Sequence, residues 1–158
     1  MRHRIFLHVV WTTRDREKLL TAALADFLEG FLGAVAVQEH ATMLAFGAVQ
    51  THVHLVVRVK PTTDIPRLLQ RWKGGSGVIA ARERIAASGY LRWEKGYSMD
   101  SVSSRGLGHA IAYVLHQAER HPDEAIPGWT PSRLRGVASE PAASGSIRTA
   151  KAAARQYG

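Results

Sequence analysis

The sequence predicts an α+β fold: an antiparallel sheet with helices packed on one face and a further helix near the other. Three observations carry this expectation. The stretch from Leu44 to Val59 (LAFGAVQTHVHLVVRV) is apolar and β-branched, with turn-tolerant Gln50 and Thr51 near its middle, as two antiparallel strands require. Apolar residues between Leu19 and Val35 recur at spacings of three and four, the mark of an amphipathic helix. Strand-like and helix-like segments then follow one another in the order β-α-β-β-α-β.

Taken in order, Arg4 to Thr12 is the first strand, with Ile5, Leu7, Val9 and Trp11 alternating against Phe6, His8 and Val10, so both faces are largely covered. Leu19, Leu20, Ala23, Leu24, Phe27, Leu28, Phe31, Leu32 and Val35 form a stripe that needs a sheet to lie on. In the hairpin that follows, Val53, Leu55, Val57 and Val59 share one wholly apolar face, which is therefore the face packed on helices. His52, His54, Val56 and Arg58 share the other, which leaves both histidines toward water or a ligand.

A helix from about Asp64 carries Ile65, Leu68, Leu69 and Trp72, then meets Lys73-Gly74-Gly75-Ser76-Gly77. Three glycines cost a plain helix about 2 to 3 kcal/mol relative to alanine, so a kink or loop is expected. Its bare backbone NH groups, beside Arg71 and Lys73, either receive a phosphate or simply turn the chain between helices. Val78 to Ala87 is a second helical stretch, and Tyr90 to Trp93 a short strand.

After a flexible connection at Ser101 to Gly108, Leu107 to Arg120 (LGHAIAYVLHQAER) is a helix stopped by Pro122. The whole order is that of a ferredoxin-like (RRM-like) antiparallel sheet, with the histidines on its open face and this C-terminal helix across them.

At 158 residues the chain suits one domain with a real hydrophobic core. Residues 1–132 are read as that domain and 133–158, rich in Ala, Ser, Gly and Arg, as a flexible basic tail. The 21 Lys and Arg against 13 Asp and Glu give a formal charge of +8, an excess that points to polyanions. Half of it lies in the tail, where Arg133, Arg135, Arg148, Lys151 and Arg155 face only Glu140, a net of +4. Cysteine is absent, which excludes disulfides and thiolate metal sites. Neither a signal peptide nor a membrane span is visible, and the expected location is the cytoplasm.

Two residues of the chain's most informative feature, His52 and His54, project in parallel from one strand with room for an ion between them. A pair of strand histidines is also compatible with plain solvation or hydrogen bonding. Tyr113 and Gln117, at i, i+4, share a helix face with His109 one turn earlier. Tyr113 alone also fits a ring in the core with its hydroxyl at the rim. Arg92, Trp93, Lys95 and Tyr97 interleave aromatic and basic groups, suited to stacking bases and pairing phosphates, although Trp93 also fits a packing role.

These segments together resemble the HUH-type single-tyrosine transposases, which move insertion sequences as single-stranded DNA, and their REP-associated relatives. The resemblance runs through RIFLHVVWTTRDREKLL, THVHLVV, LLQRWKGGSG, WEKGYSMDSVS and AYVLHQAERH, in that order and at family-like spacing. It implies that His52 and His54 are metal ligands, that Gln117 is a third ligand and that Tyr113 is the nucleophile. It further implies a hairpin-forming single-stranded DNA partner and a homodimer. Relatives often carry Asn just before the first histidine where this chain has Thr51, a departure that bears on support of the ligands and not on the ligands themselves.

The chemistry is consistent with those roles. A phenol with a pKa near ~10 is a poor nucleophile at neutral pH, so it must be deprotonated or its phosphate made more electrophilic. Two imidazoles and an amide oxygen leave coordination positions open and suit Mg²⁺ or Mn²⁺. Attack by Tyr113 joins it to a 5′ phosphate and frees a 3′ hydroxyl, a bond that another 3′ hydroxyl can reverse without ATP. Transposition, nicking or plain nuclease action without transposition, and non-catalytic binding of single-stranded nucleic acid are the three functions compatible with the sequence.

Overall fold

Alternation along the first and third strands gives each two usable faces, and the fold covers both. In the computed structural model, which describes residues 2–135, 151 and 153–155, β1 (Ile5–Thr12), β2 (Ala41–Val49), β3 (His52–Val59) and β4 (Ser98–Val102) form one antiparallel sheet in the order β2-β3-β1-β4. This is the ferredoxin-like arrangement the sequence predicts. Register places Thr12 opposite His52, Val10 opposite His54 and His8 opposite Asp100.

Helix α1 (Ala22–Gln38) starts where the Thr21 hydroxyl accepts the Leu24 N–H at 3.3 Å. Its buried stripe of Leu24, Phe27, Leu28, Phe31, Leu32 and Val35 lies in one core with Val53, Leu55, Val57 and Val59 of β3. Helix α2 (Ile65–Gln70) is capped by Asp64, whose side chain accepts from Arg67 N–H at 3.1 Å.

Of the expected kink or loop, the glycine-rich segment forms a helical irregularity and not a loop. Arg71–Gly75 is a π-helical turn that runs directly into α3 (Ser76–Arg82). Trp72 is fully buried and donates its indole N–H to the Leu32 carbonyl at 2.9 Å, so tertiary packing outweighs the cost of glycine. Gly77 also has a packing reason, since a Cβ there would stand 3.1 Å from the Leu91 carbonyl oxygen.

Other boundaries differ from expectation. α3 ends at Arg82, and the strand expected at Tyr90 to Trp93 reduces to a single bridge between Trp93 and Thr13. The edge strand is instead Ser98–Val102, a polar segment whose extended form comes from pairing with distant β1. It takes up part of the expected flexible connection. Trp93 packs against the core and donates to the Ser76 hydroxyl at 2.9 Å.

The other face of the sheet carries α4 (Leu107–Leu115) and α5 (Gln117–Arg120), with Val114 and Leu115 packed on Ala45 and Val56. Gly47 makes this possible: a Cβ there would stand 1.8 Å from the Val114 carbonyl oxygen.

Arg133 donates to the Leu44 carbonyl at 2.8 Å, Arg135 pairs with Asp26, and Ala153 and Ala154 lie in the main core. The rest of the expected flexible tail lies outside the described residues. Among the described residues no helix is long and apolar enough to cross a membrane.

Candidate active site

β3 delivers His52 and His54 to the sheet face under α4 and α5, where they are 5 % and 6 % exposed. They lie on the face expected from alternation, with the tyrosine-bearing helix across it, and that helix buries them. α4 covers them because its own apolar residues need Val56, which lies between His54 and Arg58 on the same face of the strand.

Five rings and an amide collect at this spot. His8 from β1 stacks on His54 with centroids 5.2 Å apart, and the Tyr113 ring stands edge-on to both at 5.7 Å. His52 lies 5.1 Å from His54 and 5.2 Å from His121. Tyr113 thus meets the histidines of its own chain. Its ring also carries the Arg120 guanidinium 4.4 Å from the centroid, a cation–π contact that brings a positive charge close to the phenol.

α4 breaks at His116, where φ is −106° and ψ 33°. The Gln117 side chain stands in for the helix here, donating its amide N–H to the Tyr113 carbonyl at 2.8 Å. Gln117 is 1 % exposed and its side-chain oxygen has no hydrogen-bond partner. Its amide is near enough to His52 to oppose the fall in that ring's pKa, yet the oxygen makes no bond of proper geometry. A buried acceptor left unpaired costs about 1 to 3 kcal/mol, and a cation would satisfy it.

Hydrogen bonds orient the first imidazole. The Thr51 hydroxyl donates to the Glu124 carboxylate at 2.9 Å, so its oxygen accepts from His52 Nδ1–H at 3.0 Å and leaves the Nε2 lone pair free. Thr51 therefore provides the support that its departure from the family's Asn put in question. Glu124 stands 3.8 Å from His52 Nδ1, but with a neutral ring this is not an ion pair. Burial, then the neighbouring His121, pushes the His52 pKa down against the pull of Glu124. Burial, then His52, His8, His121 and Arg120, lowers that of His54 to about 3. Both rings are thus neutral at neutral pH, the form in which imidazole donates to a metal.

Among the described residues no group of three or more His, Cys, Asp or Glu side chains is arranged to hold a metal. The available donor set is accordingly two imidazoles and the partnerless amide oxygen of Gln117, which fits an oxygen-preferring divalent ion with open positions. Beside it, His8, Gly106, His109, Ala110 and Tyr113 line an open depression of about 540 Å³.

The other candidate residues lie apart from this cluster. Arg71 is 7 % exposed and bonded to Glu39 at 3.0 Å, to Gln38 at 2.7 Å and to the Ala154 carbonyl at 3.0 Å, so it is a core cation and not a phosphate contact. Lys73 donates to the carbonyls of Glu94 and Gly96 at 2.7 and 2.6 Å, tying down the loop after Trp93. Arg92 and Lys95 are exposed, Arg92 lying over the Tyr90 ring at 4.9 Å. Sequence reasoning missed His8 and Glu124. His8 alternates onto the histidine face of β1, a signal that could have found it, whereas Glu124 reaches the site only through the tertiary fold.

The ISDra2 transposase TnpA of Deinococcus radiodurans is 24 % identical over 126 residues, covering 75 % of this chain and 87 % of that one. Two solved structures share the fold. A crystal structure attributed to a Deinococcus radiodurans R1 transposase superposes with a TM-score of 0.54 at 22 % identity, over 80 % of this chain and 95 % of the other. A REP-associated tyrosine transposase bound to a REP hairpin gives 0.59 at 13 % identity, over 77 % and 72 %. The model of the family described as IS200-like transposase matches residues 1–117, which include β1 to β4, His52, His54, Tyr113 and Gln117, and the chain therefore belongs to that family of transposases acting on DNA.

Proposed function

We propose that this transposase cleaves and rejoins single-stranded DNA beside hairpins through a 5′-phosphotyrosine on Tyr113, with Mg²⁺ or Mn²⁺ held by His52, His54 and Gln117. The observation that carries the reading is the convergence of the Tyr113 ring, two neutral imidazoles and a buried, partnerless amide oxygen at one spot on the sheet.

A divalent ion at these donors would polarise a phosphate oxygen as a Lewis acid. Tyr113 Oη attacks phosphorus, the Oη–P bond forms as the P–O3′ bond breaks, and the phenolic proton passes to solvent while the departing oxygen becomes a 3′ hydroxyl. Arg120 over the ring places a positive charge beside the phenol as it loses its proton. Return attack by a 3′ hydroxyl restores a phosphodiester and the free tyrosine. Arg92 and Lys95, both exposed, are the proposed phosphate contacts outside the site. The hairpin is carried over from the REP-bound structural neighbour, and the homodimer from family likeness.

Incubation with a hairpin-bearing single-stranded oligonucleotide and Mn²⁺, followed by a denaturing gel, tests the reading. The expected result is a protein–DNA adduct that Tyr113→Phe and EDTA each abolish. Cleavage that survives Tyr113→Phe without an adduct would show that water is the nucleophile.

A further inference from the structure

We propose that His8 is a positioning residue: it accepts the Nδ1 proton of His54 and so leaves the His54 Nε2 lone pair as the donor available to a divalent cation. The inference rests on the reading of His54 as a metal ligand and adds to it a residue of β1.

His8 Nε2 and His54 Nδ1 are 2.9 Å apart, so one proton lies between them. If His8 supplies it, His54 must carry its own proton on Nε2, and neither of its nitrogens can bind a metal. If His54 supplies it, His54 Nε2 is free and His8 carries its proton on Nδ1. Only the second arrangement gives His54 the state that the His52–Thr51–Glu124 chain gives His52, with Nδ1 donating and Nε2 open. The second shared feature is rigidity: the stacked rings, with interplanar angle 23°, and the edge of Tyr113 against both, hold His54 against rotation.

The surroundings favour the same direction. His8 lies opposite Asp100 in the β1–β4 register, and the Asp100 carboxylate draws positive charge toward His8. Metal-bound histidines commonly donate their second ring N–H to an acceptor that fixes ring and tautomer. Here the acceptor is a second histidine, one strand away.

The test has two readouts, one independent of any metal. Long-range ¹H–¹⁵N correlation spectra of the metal-free protein at neutral pH report which nitrogen of His54 carries the proton. Nδ1 is expected, whereas a proton on Nε2 would overturn the proposal. Mn²⁺ affinity is then measured by calorimetry for the wild type, His8→Leu and His8→Gln, with far-ultraviolet circular dichroism confirming that each is folded. His8→Leu should bind Mn²⁺ about 10- to 100-fold more weakly. His8→Gln, whose side-chain oxygen can accept the same proton, should stay close to wild type, and binding of a hairpin oligonucleotide in EDTA should be unchanged in both. Equal Mn²⁺ affinity in wild type and His8→Leu would refute the role, as would an equal loss in the Leu and Gln variants. A wild type that binds no Mn²⁺ at all would instead refute the metal reading itself.

Discussion

His54 is 6 % exposed, and burial with four positively polarised neighbours drops its pKa to about 3; His52 and His8 shift the same way. In an unfolded chain these rings titrate near 6.5, so below that pH the unfolded state binds more protons than the folded one. The stability they contribute is complete above about pH 6.5 and is lost as pH falls toward 3. The melting temperature of metal-free protein should therefore drop on acidification from about pH 7 to pH 5, and His54→Asn should flatten that dependence. A melting temperature constant over this range would contradict the burial argument. His52→Ala should lower turnover at least tenfold while oligonucleotide affinity in EDTA changes little, as kinetics and binding isotherms would show; equal losses would place the ring on DNA instead. At this scale the sequence revealed His52, His54, Tyr113 and Gln117 as a set because strand alternation and helical spacing are local. It did not reveal that Thr51 is bridged to Glu124, 73 positions away, since no local pattern encodes that contact.

α4 can reach the histidine face only because Gly47, paired with His54 across the β2–β3 ladder, has no side chain under the Val114 carbonyl. Gly47→Ala forces backbone to move, at a cost of about 1 to 3 kcal/mol by comparison with overpacked cores. The prediction is a lower melting temperature and a loss of adduct formation larger than the loss of stability explains, measured by thermal denaturation and the denaturing-gel assay. A fully active Gly47→Ala protein would mean that α4 works away from this position. α1 and the β2–β3 hairpin were legible because their apolar periodicity is unbroken. β4 was not, because SMDSV has no strand-like alternation of its own and is extended by its partner β1. The Arg71–Gly75 segment was only half legible: local glycine cost argued for a kink or loop without deciding between them, and burial of Trp72 keeps it helical, as a π-turn.

Across the whole molecule, the charge of +8 points to polyanions, but individual cations serve different ends. Arg71 shares buried Glu39 with Arg67, so Arg71→Ala should destabilise the protein by about 1 to 3 kcal/mol in chemical denaturation. The double variant Arg92→Ala, Lys95→Ala should leave stability unchanged and reduce the salt dependence of single-strand binding, by roughly 0.7 in log–log slope for each phosphate contact removed. An unchanged slope would remove both residues from the DNA interface. Composition alone could not have divided these roles, because burial of Arg71 follows from the packing of the Arg71–Gly75 turn against α1, where it bonds Gln38 and Glu39. Strand transfer by this molecule requires above all that Tyr113 become bonded to a DNA strand at the histidine cluster. Trapping the Mn²⁺-dependent adduct, digesting it with protease and nuclease, and mapping the modified peptide by mass spectrometry measures this directly. A 5′-linked nucleotide on the oxygen of Tyr113 is expected; a 3′-linked nucleotide, a different modified residue, or cut DNA with no peptide attached would rule out Tyr113 as the nucleophile.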